Sequence, residues 1–161
     1  YDFMNNIKKR ILLGIALSCL FASQMSFSQS VEDVVFGMKI KGLDFVFPFD
    51  AKNDPNKQLG RPNQYIEKAS WPDPNIDPKF EKDGYYDSDI APEQFKGGTI
   101  EKFNNQADLN RRYTYIKNIT LAQPIYNQYM YKKGLFLLRL DKEFTPAQAK
   151  EYEKELNRLV K

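Results

Sequence analysis

The sequence predicts an α+β fold, built as a mostly antiparallel sheet with helices packed on one face. Three observations support this prediction. Apolar residues recur at helical spacing in three segments, short runs rich in aromatic and β-branched residues lie between them, and turn residues separate the runs. The predicted elements follow the order αββ, a long loop, and then βαββα.

The front of the 161-residue chain is interpreted as a signal peptide that starts at Met4. Residues 8–10 are positively charged, residues 11–22 form an apolar stretch, and residues 26–28 supply the small side chains that a signal peptidase recognises. The apolar stretch is too short to cross a hydrocarbon core about 30 Å thick as a helix. We therefore expect cleavage before Gln29 and a secreted, periplasmic or cell-envelope protein.

A competing interpretation makes Cys19 the lipid-modified cysteine of a lipoprotein. The residues before Cys19 match poorly the sequence pattern that precedes a lipid-modified cysteine, and residues 20–22 continue the apolar stretch beyond it. We therefore favour cleavage of residues 1–28 as a signal peptide. Residues 29–161 then form a single domain without a transmembrane segment. Its net charge is only +1, because residues 1–28 hold three cations and one acid of a chain that carries +3. Such a balance gives no electrostatic reason to expect nucleic acid as a partner.

The domain opens with a predicted helix that Ser30 caps, with two acidic residues in its first turn. Apolar residues at helical spacing extend this helix to about Met38. Two strands are then predicted, over residues 45–49 and residues 64–71, with a turn-rich segment between them.

A long loop is predicted over residues 72–98. It contains four prolines, three glycines and five aspartates, and its apolar residues follow neither the periodicity of a helix nor that of a strand. Loops of this length in compact domains tend to be functional or disordered. Gly97 and Gly98 are interpreted as a turn pair, because they lead into a strand and not into the helix that a phosphate-binding loop requires.

A strand over residues 99–103 leads into a helix that Asn105 caps. The apolar stripe of this helix consists of Leu109, Tyr113 and Ile116. The basic residues on its remaining surface are interpreted as its solvated face and not as a nucleic-acid patch.

The end of the chain is predicted to be a hairpin followed by a helix. Residues 126–131 and 135–140 form the two strands of the hairpin. Residues 145–148 begin the helix, since threonine stands at the N-cap, proline at the first position and glutamine where a capping box needs it.

Several short motifs are spread over most of the mature chain: Asp54-Pro55-Asn56-Lys57, Leu59-Gly60-Arg61-Pro62, Tyr65, Lys68-Ala69-Ser70, Gly97-Gly98-Thr99-Ile100-Glu101, Leu137-Leu138-Arg139-Leu140 and Thr145-Pro146-Ala147-Gln148-Ala149. In these motifs the chain resembles a group of small secreted proteins and lipoproteins of bacteria. The resemblance implies an extracytoplasmic location and a single domain. No activity and no site residues are assigned to that group, so the resemblance implies no function.

The composition excludes several classes of chemistry. The chain has no histidine, and its single cysteine lies in the predicted leader. This excludes Ser-His-Asp and Cys-His nucleophiles, zinc sites built on imidazole or thiolate, haem held by histidine, and disulfide exchange. We therefore predict that the protein is not an enzyme and has no catalytic residues, metal ligands or cofactor.

The aspartates of the long loop leave two alternatives open. A carboxylate-dependent hydrolase needs two acids held across a cleft, and a calcium site needs several oxygen ligands. An EF-hand loop beginning at residue 73 is excluded, because Pro78 stands where the turn needs glycine and Gly84 where a bidentate glutamate belongs. A looser carboxylate site remains open for the five aspartates of the loop, Asp73, Asp77, Asp83, Asp87 and Asp89.

Six polar and aromatic residues form the predicted recognition surface: Asn56, Arg61, Tyr65, Trp71, Tyr85 and Tyr86. Arginine, tyrosine and tryptophan are the types that carry most interface energy. A competing interpretation, which we favour, places Tyr65 and Trp71 in the core and lets Arg61 satisfy loop carbonyls. The predicted function is a non-enzymatic binding or interaction module outside the cytoplasm, whose partner is an unidentified protein or small ligand.

Overall fold

The computed structural model describes residues 28–77 and 91–161. The predicted leader with Cys19 and the loop residues Tyr85 and Tyr86 lie outside the described residues. The elements are α1 (Val31–Gly37), β1 (Phe47–Pro48), β2 (Glu67–Pro72), β3 (Gly97–Lys102), α2 (Gln106–Ala122), β4 (Gln128–Lys133), β5 (Phe136–Asp141) and α3 (Pro146–Leu159). Two 3-10 turns, Pro92–Gln94 and Pro124–Tyr126, precede β3 and β4.

The five strands form one open sheet in the order β1-β2-β3-β5-β4, and every neighbouring pair is antiparallel. The predicted α+β class, the antiparallel sheet and the order of the elements are confirmed. Strand β1 is only two residues long, shorter than the predicted strand over residues 45–49, and its Pro48 has no N–H to donate to a ladder.

One face of the sheet carries the main apolar core. Helices α1 and α3 pack on this face, where Trp71 of β2, Ile100 of β3 and Leu138 of β5 are fully buried. Helix α1 contributes Val34 to this core. Because successive side chains of a strand point to opposite faces, these positions alternate with residues that face the other way.

Helix α2 packs on the opposite face, which corrects the prediction that the helices share one face. There, Leu109 and Ile116 of α2 meet Phe103 and Leu137, which is adjacent in β5 to the core residue Leu138. Consecutive buried leucines in one strand are typical of a sheet that is covered on both faces. Beyond the part covered by α2, this face carries polar and charged side chains.

The helix starts that the sequence predicted are confirmed. The side chains of Ser30, Asn105 and Thr145 each accept a hydrogen bond from the backbone N–H three residues later. At Ser30 and Thr145 the third residue returns the bond, which completes a capping box.

Gly97 and Gly98 lie inside β3 and not in a turn, which corrects the interpretation from the sequence. Both are buried and pair with β2. A Cβ on Gly98 would lie 2.6 Å from Cε2 and 2.7 Å from Cη2 of the Trp71 indole. Glycine is therefore required here because the indole ring occupies the space that a side chain would need.

Candidate functional site

A cavity of about 630 Å³ opens beside α2, on the sheet face that α2 covers in part. We call it the arginine cleft. Its walls are helix α2, the loop over residues 54–65 and the ends of β4 and β5. The lining residues are Asn56, Gln58, Asn63, Gln64, Arg111, Arg112, Tyr115, Ile116, Ile119, Tyr126, Gln128 and Arg139.

The floor of the cleft is built around Glu101, whose side chain is fully buried. Arg112 donates to it through Nε at 3.2 Å and Nη2 at 2.9 Å, and Arg139 donates through Nη2 at 3.0 Å. Residues 101 and 139 come from neighbouring strands on the same sheet face, and Arg112 reaches them from α2. Two guanidinium groups therefore share one carboxylate.

The charges of this cluster stabilise one another. Burial alone would raise the pKa of Glu101, but the positive charges of Arg139 and Arg112 outweigh burial and hold the pKa below its ordinary value. Burial opposes the charge of Arg112, yet Glu101 raises the pKa of that guanidinium. Two guanidinium groups face one carboxylate, so the formal charges of the cluster leave one positive charge in excess.

Arg139 also retains an unused donor. Its Nη1 donates to Oε1 of Gln128 at 3.3 Å, whereas its buried Nε has no hydrogen-bond partner among the described residues. A buried donor without an acceptor costs about 1–3 kcal/mol. Because this Nε is buried, an anion in the cleft would act on the two guanidinium groups by supplying the negative charge that a single carboxylate leaves short.

The loop that forms one wall is held by Asp54, which is buried. Its Oδ2 accepts from Tyr65 Oη at 2.7 Å and from the backbone N–H of Gln58 at 2.9 Å and of Leu59 at 3.0 Å. Its Oδ1 accepts from Lys68 Nζ at 2.7 Å. Burial opposes the charge of Asp54, but the hydrogen bonds from Lys68 and Tyr65 hold its pKa well below the ordinary value.

Arg111 joins this loop to helix α2. Its Nη1 donates to the backbone carbonyl of Asn63 at 3.3 Å and to Oδ1 of Asp108 at 2.7 Å. Asn63 has a positive φ of 63°, a conformation that asparagine tolerates better than most residues. The amide side chains of the wall are therefore presented by a loop that is tied at both the sheet and the helix.

Two tyrosines stand at the rim of the cleft. Tyr115 of α2 is 59% exposed and Tyr126, in the turn before β4, is 57% exposed. Exposed aromatic rings offer an apolar face together with a polar hydroxyl. Among the described residues, Ile116 and Ile119 are the aliphatic members of the lining, so the cleft combines polar groups with apolar surface.

Two smaller cavities adjoin the cleft. One of about 60 Å³ and one of about 430 Å³ share the lining residues Arg139 and Gln128 with it, so the three cavities lie side by side, and we call them together the groove. Both contain Asp141, whose Oδ2 accepts from the backbone N–H of Gly97 at 2.7 Å. Burial raises the pKa of Asp141.

The structure distributes the predicted recognition residues over different environments. Asn56 lines the cleft, and Arg61 is exposed outside it. Tyr65 and Trp71 are fully buried, which corrects their assignment to a recognition surface and agrees with the competing interpretation. Tyr65 lies behind the cleft, where Arg112 Cζ is 5.4 Å from its ring centroid, and Trp71 lies in the core on the opposite face.

The acids of the predicted loop site that the structure describes are internal hydrogen-bond acceptors. Asp73 Oδ2 accepts from Tyr152 Oη at 2.6 Å, and Asp77 Oδ2 accepts from the backbone N–H of Lys96 at 2.9 Å. Both carboxylates are buried. Asp83, Asp87 and Asp89 lie outside the described residues. Within residues 28–77 and 91–161, no group of three or more histidine, cysteine, aspartate or glutamate side chains is arranged to hold a metal ion.

The sequence prediction missed the arginines of the cleft. The sequence predicts that the basic residues of α2, which include Arg112, lie on the solvated face of the helix, yet the Arg112 side chain is only 12% exposed. Charged residues inside otherwise apolar strands are the sequence signal that could have identified the floor. Glu101 follows Ile100, and Arg139 lies between Leu138 and Leu140. Such residues are rarely buried unless they are paired.

Comparisons with protein-family models, with curated proteins and with solved structures find no match to this chain. In the part of the chain that the structure describes, no helix has the length and apolar character to cross a membrane.

Proposed function

We propose that this protein is a non-enzymatic binding module that works outside the cytoplasm and holds an anionic ligand in the arginine cleft. The proposal rests on the sharing of the Glu101 carboxylate by Arg112 and Arg139. This sharing leaves one positive charge in excess beside the cleft. A carboxylate or phosphate group supplies the opposite charge and accepts charge-assisted hydrogen bonds from guanidinium groups.

The lining of the cleft supports binding over catalysis. Among the described residues that line it, the ionisable side chains belong to arginine and tyrosine, and the Glu101 carboxylate of the floor is buried between Arg112 and Arg139. Arginine stays protonated in proteins, so the guanidinium groups of the cleft can bind an anion but cannot act as general bases.

The ligand-binding proposal is tested by titration calorimetry with citrate and with inorganic phosphate. Arg139→Gln keeps a hydrogen-bonding side chain but removes the charge, and we expect it to weaken binding about 10- to 100-fold, the range for a lost charge-assisted hydrogen bond. Arg61→Gln is the matched control, since Arg61 is exposed and does not line the cleft. Thermal melting verifies that both variants fold. Unchanged affinity in Arg139→Gln, or an equal loss in Arg61→Gln, would contradict the proposal.

The proposed location is tested by expressing the full chain in a bacterium and measuring the mature N-terminus by mass spectrometry. We expect a chain that begins at Gln29 in the periplasm or the medium. A lipid on Cys19 would favour the membrane-anchored alternative. An uncleaved chain in the cytosol would refute export.

A further inference from the structure

The groove is longer than a single anion requires. The arginine cleft alone has about 630 Å³, and a cavity of about 430 Å³ lies beside it across Arg139 and Gln128. The cleft therefore falls within the usual size of a small-molecule site, about 300–1,000 Å³. A single carboxylate or phosphate group would fill only a small part of this volume.

The chemistry of the lining indicates what the rest of this ligand is. Six amide side chains line the two cavities: Asn56, Gln58, Asn63, Gln64, Asn127 and Gln128. Each amide carries an acceptor oxygen and two donor N–H groups, so it pairs well with a hydroxyl, which also donates and accepts. Three isoleucines, Ile116, Ile119 and Ile125, line the same two cavities, so a ligand there meets amide groups and apolar surface together.

The rim tyrosines fit the same ligand class. Tyr115 and Tyr126 expose more than half of their surface beside the amides. The negative face of an aromatic ring attracts the positively polarised C–H groups on one side of a sugar ring. A sugar ring carries hydroxyl groups at its edge, which can pair with the amides, and C–H groups on its face, which can pack on tyrosine. The lining therefore fits a carbohydrate.

The charges along the groove limit where the ligand is anionic. Arg112 and Arg139 mark the centre, whereas the adjoining cavity contains Asp141 and Glu143 together with Lys142. Glu143 is paired to Lys96 at 3.1 Å. A second carboxylate of the ligand would lie near these acidic side chains and would gain little electrostatic attraction in the adjoining cavity. Neutral units therefore fit there better than acidic ones.

We propose that the ligand of the arginine cleft is a short acidic oligosaccharide, with one uronic acid carboxylate on Arg112 and Arg139 and neutral sugar units extending along the groove. This inference rests on the proposed function, because it assumes that the cleft binds an anion. It adds the chemical class and the minimum length of that ligand.

The experiment compares four probes by titration calorimetry with the folded domain. The probes are glucuronate, a hyaluronan tetrasaccharide in which acidic and neutral units alternate, neutral triacetylchitotriose and the peptide Glu-Glu-Glu. We expect the tetrasaccharide to bind at least about tenfold more tightly than each of the other three, since it alone combines the carboxylate with neighbouring neutral rings.

Two exposed aromatic residues provide variants that are expected to fold. Tyr126→Ala removes a rim ring and should weaken tetrasaccharide binding about 5- to 10-fold but citrate binding much less, because citrate has no sugar ring to pack on the tyrosine. Phe36→Ala removes a ring that is 58% exposed on α1, away from the cleft, and should change neither affinity. An equal effect of both substitutions would overturn the role of Tyr126.

The outcomes separate the two proposals. If citrate, glucuronate and the tetrasaccharide bind equally well, anion binding stands and the oligosaccharide inference fails. If Glu-Glu-Glu binds as tightly as the tetrasaccharide, the ligand is an acidic peptide and the inference also fails. If neither citrate nor phosphate nor any of the four probes binds, the proposed function fails with it.

Discussion

Replacing Glu101 with glutamine keeps the shape of the side chain but removes the charge that holds two guanidinium groups. The carboxylate has no exposed surface, and the side chains of Arg112 and Arg139 are 12% and 18% exposed. Breaking a buried ion pair by removing one partner costs about 3–5 kcal/mol, because the remaining charge is buried without compensation. We expect a loss of this size in the free energy of unfolding.

Urea denaturation followed by circular dichroism measures this loss. With a slope of about 2 kcal/mol per molar urea, a cost of 3–5 kcal/mol lowers the midpoint by about 1.5–2.5 M. The matched control is Glu151→Gln on the exposed surface of α3, which should change stability by less than about 0.5 kcal/mol. A change below about 1 kcal/mol in Glu101→Gln would refute the buried, shared carboxylate.

The same substitution should alter the dependence of stability on pH. Because the pKa of Glu101 is lowered in the folded protein, its ionisation stabilises the fold above the ordinary glutamate pKa of 4.5. This contribution is lost as the pH falls through the folded-state pKa. The difference in stability between the wild-type protein and Glu101→Gln should therefore shrink on acidification below pH 4.5, and a constant difference would contradict this reasoning.

Three further substitutions test the packing. Gly98→Ala should cost about 3 kcal/mol or more in urea denaturation, because its methyl group overlaps the buried Trp71 ring; a neutral effect would mean that the ring moves easily. Tyr152→Phe removes the hydroxyl that donates to Asp73 at 2.6 Å and should cost about 1–3 kcal/mol, seen as a lower melting temperature. Thr145→Ala removes the N-cap of α3 and should cost about 1 kcal/mol by the same measurement, and no loss would argue against the cap.

The parts of the fold that the sequence predicts well are those that depend on local physics. A helix cap needs a side chain and a backbone N–H three residues apart, so Ser30, Asn105 and Thr145 could be identified without the tertiary structure. The hairpin of β4 and β5 likewise depends on a short turn at Gly134, where φ is +52°.

The cleft could not be predicted in the same way because it depends on register between distant segments. Glu101 and Arg139 are 38 residues apart in the sequence. They meet because the β3–β5 ladder pairs Glu101 with Leu137, and Arg139, two residues further along β5, points to the same face of the sheet. The placement of Gly98 also depends on pairing, since β2 sets it opposite Trp71. A sequence pattern fixes which residues alternate along a strand, but it does not fix which strands are neighbours.

The two faces of the sheet have different roles in the energy balance. The face under α1 and α3 is filled by apolar side chains, whose burial stabilises the fold. The face beside α2 buries Glu101, Arg112 and Arg139, and buried ion networks add little net stability compared with apolar residues of similar size. The triple variant Glu101→Leu, Arg112→Met, Arg139→Leu should therefore recover most of the free energy of unfolding that Glu101→Gln loses. Anion binding should disappear in the same variant. Restored stability together with intact binding would show that the ligand does not depend on these arginines.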